Sequence, residues 1–228
     1  MKFRIIGNVV PAVEVLFEQA GEEMITQSGG MAWMSDGISM TTDTNGGAFS
    51  GLGRMFAGES LFMAHYRAER PGATIAFAST VPGKIVPIRL REHPNGLICQ
   101  KGSFLCSQSS VQLKIEFTRR LSSGFFGGEG FILEKLSGQG SAFLEVDGDV
   151  VEKELAAGEV IKVDTGNVVA FQSGMPYEIE TVRGFKNIFF GGEGLFLTRL
   201  TGPGKVILQT QNIRDFANSL SGMLPRNN

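Results

Sequence analysis

Histidine and cysteine are scarce in this chain of 228 residues, with two of each. A metal site built on adjacent strands needs clustered histidines, and His65 and His93 are too few to make one. Cys99 and Cys106 stand seven apart, with neither a C-x-x-C spacing nor a disulfide framework, so reduced structural thiols are expected. Tryptophan occurs once and tyrosine twice, whereas phenylalanine occurs 18 times. Phenylalanine has no polar handle, which favours dry packing over a platform for sugars or bases. Charge of one sign is also missing: 21 basic and 23 acidic residues leave a formal net charge of −2. That removes the electrostatic case for nucleic acid or an anionic membrane as partner.

Long apolar runs are absent too. None reaches the roughly 18 residues that a spanning helix needs. Met1-Lys2-Phe3-Arg4 is not followed by the apolar stretch and small-residue site of a signal peptide. The expected location is the cytoplasm, with no transmembrane segment and with peripheral membrane contact left open. No G-x-S-x-G elbow, no phosphate-binding G-x-x-x-x-G-K-[ST] and no G-x-G-x-x-G after a strand occurs. Gly51-Leu52-Gly53 lacks the third glycine. With no nucleophile beside a base in view, the chain reads as a non-enzyme without cofactor or metal.

What the chain has is glycine, 31 residues of it against eight prolines, spread along the whole length. Many short strands joined by tight turns account for that distribution. The stretch Phe189–Gly204, FFGGEGLFLTRLTGPG, has an earlier counterpart at Phe125–Gly140, FFGGEGFILEKLSGQG, at an offset of 191 − 127 = 64. A fainter third copy is Gly58-Glu59-Ser60, followed by Leu61-Phe62-Met63, at 128 − 58 = 70 from the middle one. A second block repeats as well. Met24–Met40 aligns with Leu97–Leu113 at 97 − 24 = 73, so that Gly29 meets Gly102. Leu97–Leu113 in turn aligns with Ile161–Tyr177 at 64, so that Gly102 meets Gly166 and Gln108-Ser109 meets Gln172-Ser173. Two separate blocks sharing one offset mark an internal repeat.

The spacing predicts three units, about 22–80, 97–147 and 159–212, in one domain spanning 1–228. Within Val111–Phe117, Val111, Leu113, Ile115 and Phe117 alternate with Gln112, Lys114 and Glu116, the period of a half-buried strand. Phe131-Ile132-Leu133 and Leu195-Phe196-Leu197 are apolar on both faces and need cover on both sides. Another sheet of the same chain, the helix candidates or a neighbouring subunit can supply that cover, and with sheet edges weakly protected a homo-oligomer is the expected state. Two short helices are expected. Gly47–Phe56 carries Ala48, Phe49, Leu52, Met55 and Phe56 at helical spacing, as a packing or interaction element. About 213–224, Ile213, Phe216, Ala217 and Leu220 form one stripe, with Asn212 as N-cap.

Glu59, Glu129 and Glu193 are the candidate site residues, one in each glycine-glutamate turn. Three equivalent carboxylates converging on an axis would suit a hard cation. The plainer reading is that each accepts hydrogen bonds from its own turn. The acids Asp147, Asp149, Glu152 and Glu154 read as a solvated edge, and Asp147-Gly148 as a hairpin turn.

The combination of Gly58-Glu59-Ser60-Leu61-Phe62, Val81-Pro82-Gly83-Lys84-Ile85, Gly191-Gly192-Glu193-Gly194-Leu195, Gly202-Pro203-Gly204 and Leu208-Gln209-Thr210 resembles the "altered inheritance of mitochondria" family. The resemblance runs from Val13 to Thr210. It implies an all-β fold grouped with the tryptophan RNA-binding attenuator protein-like domains. It also implies a link, through the mitochondrial members, to inner-membrane organisation. The family supplies no catalytic residues, and the fold grouping does not imply RNA binding. The expectation is therefore an all-β layered sandwich or prism of three pseudo-repeats, acting as an oligomeric scaffold or binding protein for an unknown protein partner. The alternative is a small-molecule or metal-ion binder, or an enzyme, with its site near the glycine-glutamate turns.

Overall fold

The computed structural model describes residues 1–27, 29–44, 62–119, 131–181, 196–213, 216–217 and 220. Short strands dominate the described residues. The first eight are β1 (Lys2–Ile6), β2 (Ala12–Leu16), β3 (Glu23–Gln27), β4 (Met31–Met34), β5 (Ile38–Thr44), β6 (Phe62–Ala68), β7 (Thr74–Ala78) and β8 (Gly83–Arg89). The next six are β9 (Leu97–Gln100), β10 (Phe104–Gln108), β11 (Val111–Arg119), β12 (Phe131–Gly138), β13 (Ser141–Asp147) and β14 (Val150–Leu155). The last five are β15 (Val160–Asp164), β16 (Val168–Gln172), β17 (Tyr177–Thr181), β18 (Phe196–Thr201) and β19 (Gly204–Gln209). Three single 3-10 turns, Leu90–Glu92, Lys101–Ser103 and Thr165–Asn167, join strands. The fold is all-β, as the glycine and phenylalanine content implies.

The strands form four antiparallel sheets. Their orders are β1-β2-β7-β4, β5-β6-β3-β10-β13-β8, β11-β12-β9-β16-β19-β14 and β15-β18-β17. Adding six to each strand number of the first six-stranded sheet gives the order of the second. The same shift carries β4-β7-β2 onto β10-β13-β8, and β11-β12-β9 onto β17-β18-β15.

The sheets are stacked, and apolar side chains fill the spaces between them. Val13, Val15 and Phe77 of the four-stranded sheet meet Met24, Tyr66 and Phe143 of the first six-stranded sheet. Leu144 and Ile88 from that sheet then meet Cys99, Leu113, Leu136 and Ile207 of the second. On its other face the second sheet packs Ile98, Phe131, Leu133 and Phe171 against Val163 and Leu200 of the three-stranded sheet. A strand in an inner sheet is therefore covered on both sides, which is the reason for its unbroken apolar run. Burying each such side chain contributes roughly 1.5–3 kcal/mol.

This layering changes the meaning of Phe131-Ile132-Leu133. All three are buried within the single chain, and no second subunit is needed to cover them. Phe196 is buried too and Leu197 is half-buried. The alternation in Val111–Phe117 is clear: Val111 and Leu113 are buried, Ile115 and Phe117 half-buried, and the three polar residues exposed. A bulge between Ile115 and Phe117 shifts the register of β11 against β12. Asp147-Gly148 forms the expected tight turn between β13 and β14, with Gly148 at φ +71°.

The helix expected over Gly47–Phe56 lies outside the described residues. At the C-terminal end Ile213, Phe216, Ala217 and Leu220 have helical backbone. The Phe216 N–H donates to the carbonyl of Asn212 at 3.1 Å. That apolar stripe faces outward, with Ile213, Phe216 and Leu220 all exposed.

Candidate functional site

Glu59, Glu129 and Glu193 all lie outside the described residues. In the chain they fall between the partners of three antiparallel pairs, β5–β6, β11–β12 and β17–β18. The described carboxylates with unusual surroundings are others: Glu134, Glu145 and Asp147.

Glu134 belongs to β12, opposite Cys99 on one side and Ile115 on the other. It shares a strand face with Ile132 and Leu136, and so is carried into the interior with them. Its side chain has no solvent exposure. Gln27, the last residue of β3 in the neighbouring sheet, donates from Nε2 to its Oε1 at 2.8 Å. This bond links the two six-stranded sheets. The other oxygen, Oε2, has no hydrogen-bond partner. Burial pushes this carboxyl up to about 7, against the opposing pull of the Gln27 bond and the Lys101 charge. The same burial, with the Glu134 charge added, raises the Cys99 thiol well above its ordinary range.

Gln27 and Lys101 also border a cavity of about 220 Å³. Gly30, Thr80, Phe104 and Glu145 form other parts of its wall. Glu145 projects from β13. Its Oε2 accepts from the backbone N–H of Thr80 at 3.0 Å and from the Thr80 hydroxyl at 3.3 Å. Burial raises this carboxyl as well, and the Asp147 charge adds to the rise.

Asp147 overturns the solvated-edge reading. It is 9% exposed, whereas Asp149, Glu152 and Glu154 are exposed as expected. Its Oδ2 accepts from the Ile213 N–H at 2.9 Å, and its own N–H donates to Gln209 Oε1 at 3.0 Å. The chain returns over the turn after β19 and covers what the local sequence offers to water. Burial raises this carboxyl too.

Nδ1 of His65 lies 2.6 Å from Oε1 of Glu23 across the β3–β6 pair. Burial lowers the pKa of His93, which closes the turn after Leu90 with an N–H bond to the Leu90 carbonyl. Cys99 and Cys106 are free and buried. Among the described residues no group of three His, Cys, Asp or Glu side chains is placed to hold a metal ion.

The class defined by these features is a stacked all-β protein, with the buried Glu134 linking its two six-stranded sheets. The chain belongs to a family whose model, described as mitochondrial biogenesis AIM24, matches residues 3–211. An uncharacterised protein of Streptococcus pyogenes serotype M6 is 30% identical over 235 residues, covering 99% of this chain and 92% of that one. A crystal structure of a Streptococcus pyogenes protein superposes with a TM-score of 0.78 at 28% identity, over 98% of this chain and 99% of that one. None of these descriptions gives an activity. Among the described residues no helix is long and apolar enough to cross a membrane.

Proposed function

We propose that this protein is a non-enzymatic scaffold or binding protein of the cytoplasm, built from three related units and acting as a homo-oligomer. The matching strand orders of the two six-stranded sheets support the reading of related units. The observation that carries oligomerisation is the edge strand β4. Trp33 and Met34 on it are 47% and 39% exposed. At the offsets of 73 and 64 their counterparts are Cys106 and Ser107, then Ala170 and Phe171, and all four have no exposure. In the two six-stranded sheets Cys106, Ala170 and Phe171 pack in the clusters between stacked sheets; on β4 an apolar edge faces water, a ready template for pairing. The exposed stripe of Ile213, Phe216 and Leu220 adds a second apolar surface. By analogy with the mitochondrial members of the family it resembles, the chain has a role in membrane or envelope organisation.

Sedimentation equilibrium at micromolar concentration tests this directly. The expected mass is a multiple of 24.6 kDa. Because Trp33 is the single tryptophan, its emission should shift to the red on dilution as the edge is uncovered. A monomer at all concentrations, with constant emission, would remove the basis of the scaffold reading.

A further inference from the structure

The cavity beside Glu145 has a counterpart one unit later, and the two are filled differently. Gly102 lies on the wall of the first, and Gly166 occupies the same repeat position 64 residues on. A methyl group at Gly166 would overlap Nδ2 of Asn212, so the chain's own carboxamide sits on that glycine. A methyl group at Gly102 would meet nothing within 4 Å. The acid also changes. Gln209, at the position 64 residues after Glu145, accepts from the Asp147 N–H at 3.0 Å and donates from Nε2 to the Gly166 carbonyl at 2.8 Å. Glu145 keeps the accepting half of that arrangement, toward Thr80, and both bonds end on its Oε2. A carboxylate cannot supply the donating half.

The first junction thus has an open space where the second has a nitrogen donor, and a carboxylate where the second has an amide. Among the described residues no cation pairs with Glu145: its partners are the Thr80 N–H and hydroxyl, and the nearby Asp147 charge is of like sign. Among the described residues Asp147 has no cation partner either, and its carboxylate accepts from the Ile213 N–H. Lys101 stands on the same cavity wall, and its charge acts on Glu134. A half-buried carboxylate with no cation partner among the described residues gains from a cation brought to it. We propose that this cavity binds a primary ammonium group, which takes the place that Asn212 holds at Gly166 and pairs with Glu145. The ammonium comes either from a free small amine or from a lysine side chain of a partner. The proposal stands independently of the oligomeric reading.

The test uses the full chain labelled with nitrogen-15 and titrated at pH 8 with ethylammonium chloride. Three non-hydrogen atoms limit the affinity to roughly 1 mM at best. The amide signals of Thr80 and Gly102 should move saturably, and sodium or tetramethylammonium chloride at equal ionic strength should not move them. Glu145→Gln should weaken binding at least tenfold, while Gln209 shows that an amide at this position is compatible with the fold. Gly102→Leu should block binding by filling the space and leaves Glu145 in place. A blocked lysine peptide that binds more tightly than ethylammonium assigns the site to a protein partner; weaker peptide binding assigns it to a free amine. Absence of saturation, equal shifts with sodium chloride, or unchanged binding in both variants would overturn the proposal.

Discussion

Two kinds of seam hold the strands of this molecule side by side. At β3–β10 and β9–β16, strands distant in sequence join into continuous six-stranded sheets. Strands β4 and β15, which occupy the same places in the order, instead end separate sheets of four and three strands. The residues follow the difference. Ile25 and Ile98 are buried at the continuous seams. The position 64 after Ile98 is Lys162, which is exposed and donates to Glu180 at 2.7 Å. A lysine on a free edge discourages pairing. β4 itself carries no charged residue, and Trp33 and Met34 are exposed. Of two edges left by one architecture, one is blunted by charge and the other keeps an apolar face.

The comparison breaks most easily at a continuous seam. Phe171, fully buried and opposite Ile98, should cost about 3–5 kcal/mol when changed to alanine, read from urea unfolding. A loss below about 1 kcal/mol would mean that this seam does not carry the packing assigned to it.

Next in size is the buried link between the two large sheets. Burial lifts the Glu134 carboxyl from 4.5 to about 7, so the folded chain keeps a proton that the unfolded chain releases. The stability from this group is fully present below about pH 4.5 and is lost as pH rises through about 7. Glu134→Gln retains an acceptor for Gln27 and should flatten that decline. At pH 8 the variant should exceed the wild type by up to about 3 kcal/mol. Part of the slope should persist, since Glu145 and Asp147 shift in the same direction. An unchanged pH profile would place water or a counter-charge at Glu134.

Met34→Lys sharpens the contrast between the two edges by giving β4 the protection that β15 has. Unfolding free energy should change by no more than about 0.5 kcal/mol, while the sedimentation mass should fall toward that of one chain. Retention of the assembled mass would move the contact away from β4. The smallest effect is expected at Lys162→Ala. Removing an exposed ion pair should cost at most about 1 kcal/mol in thermal melts, and its main consequence should be greater self-association.

Much of the architecture was legible because glycine positions and strand periods are local properties. Gly148 after Asp147 falls on a real turn, and the alternation of Val111–Phe117 on a real strand. The acids were harder to read. Glu134 stands in a strand with Glu-Lys at its centre, and nothing nearby announces that β9 and β11 flank it while Gln27 reaches it from 107 residues away. Asp147 looked solvated because its cover arrives with Gln209 and Ile213, more than 60 residues later. The one available signal was the repeat itself. Aligning Glu145 with Gln209 exposes an acid-for-amide change, which a search for catalytic motifs passes over. The double-sided apolar run of Phe131-Ile132-Leu133 signals two covers, and of the sources open to it (another sheet, a helix, a second subunit) the chain's own sheets supply both.

The two buried thiols turn the continuous seams into clocks. Cys106 lies on β10 beside Ser107, which pairs with Ile25 of β3, and Cys99 lies on β9 opposite Ala170. Neither sulfur meets solvent in the closed fold. An alkylating reagent can reach either only during a transient opening, so its rate of labelling counts those openings. With one cysteine replaced at a time, each remaining thiol times a different seam. The chain thus carries two internal chronometers, one for each large sheet, that run without any added probe.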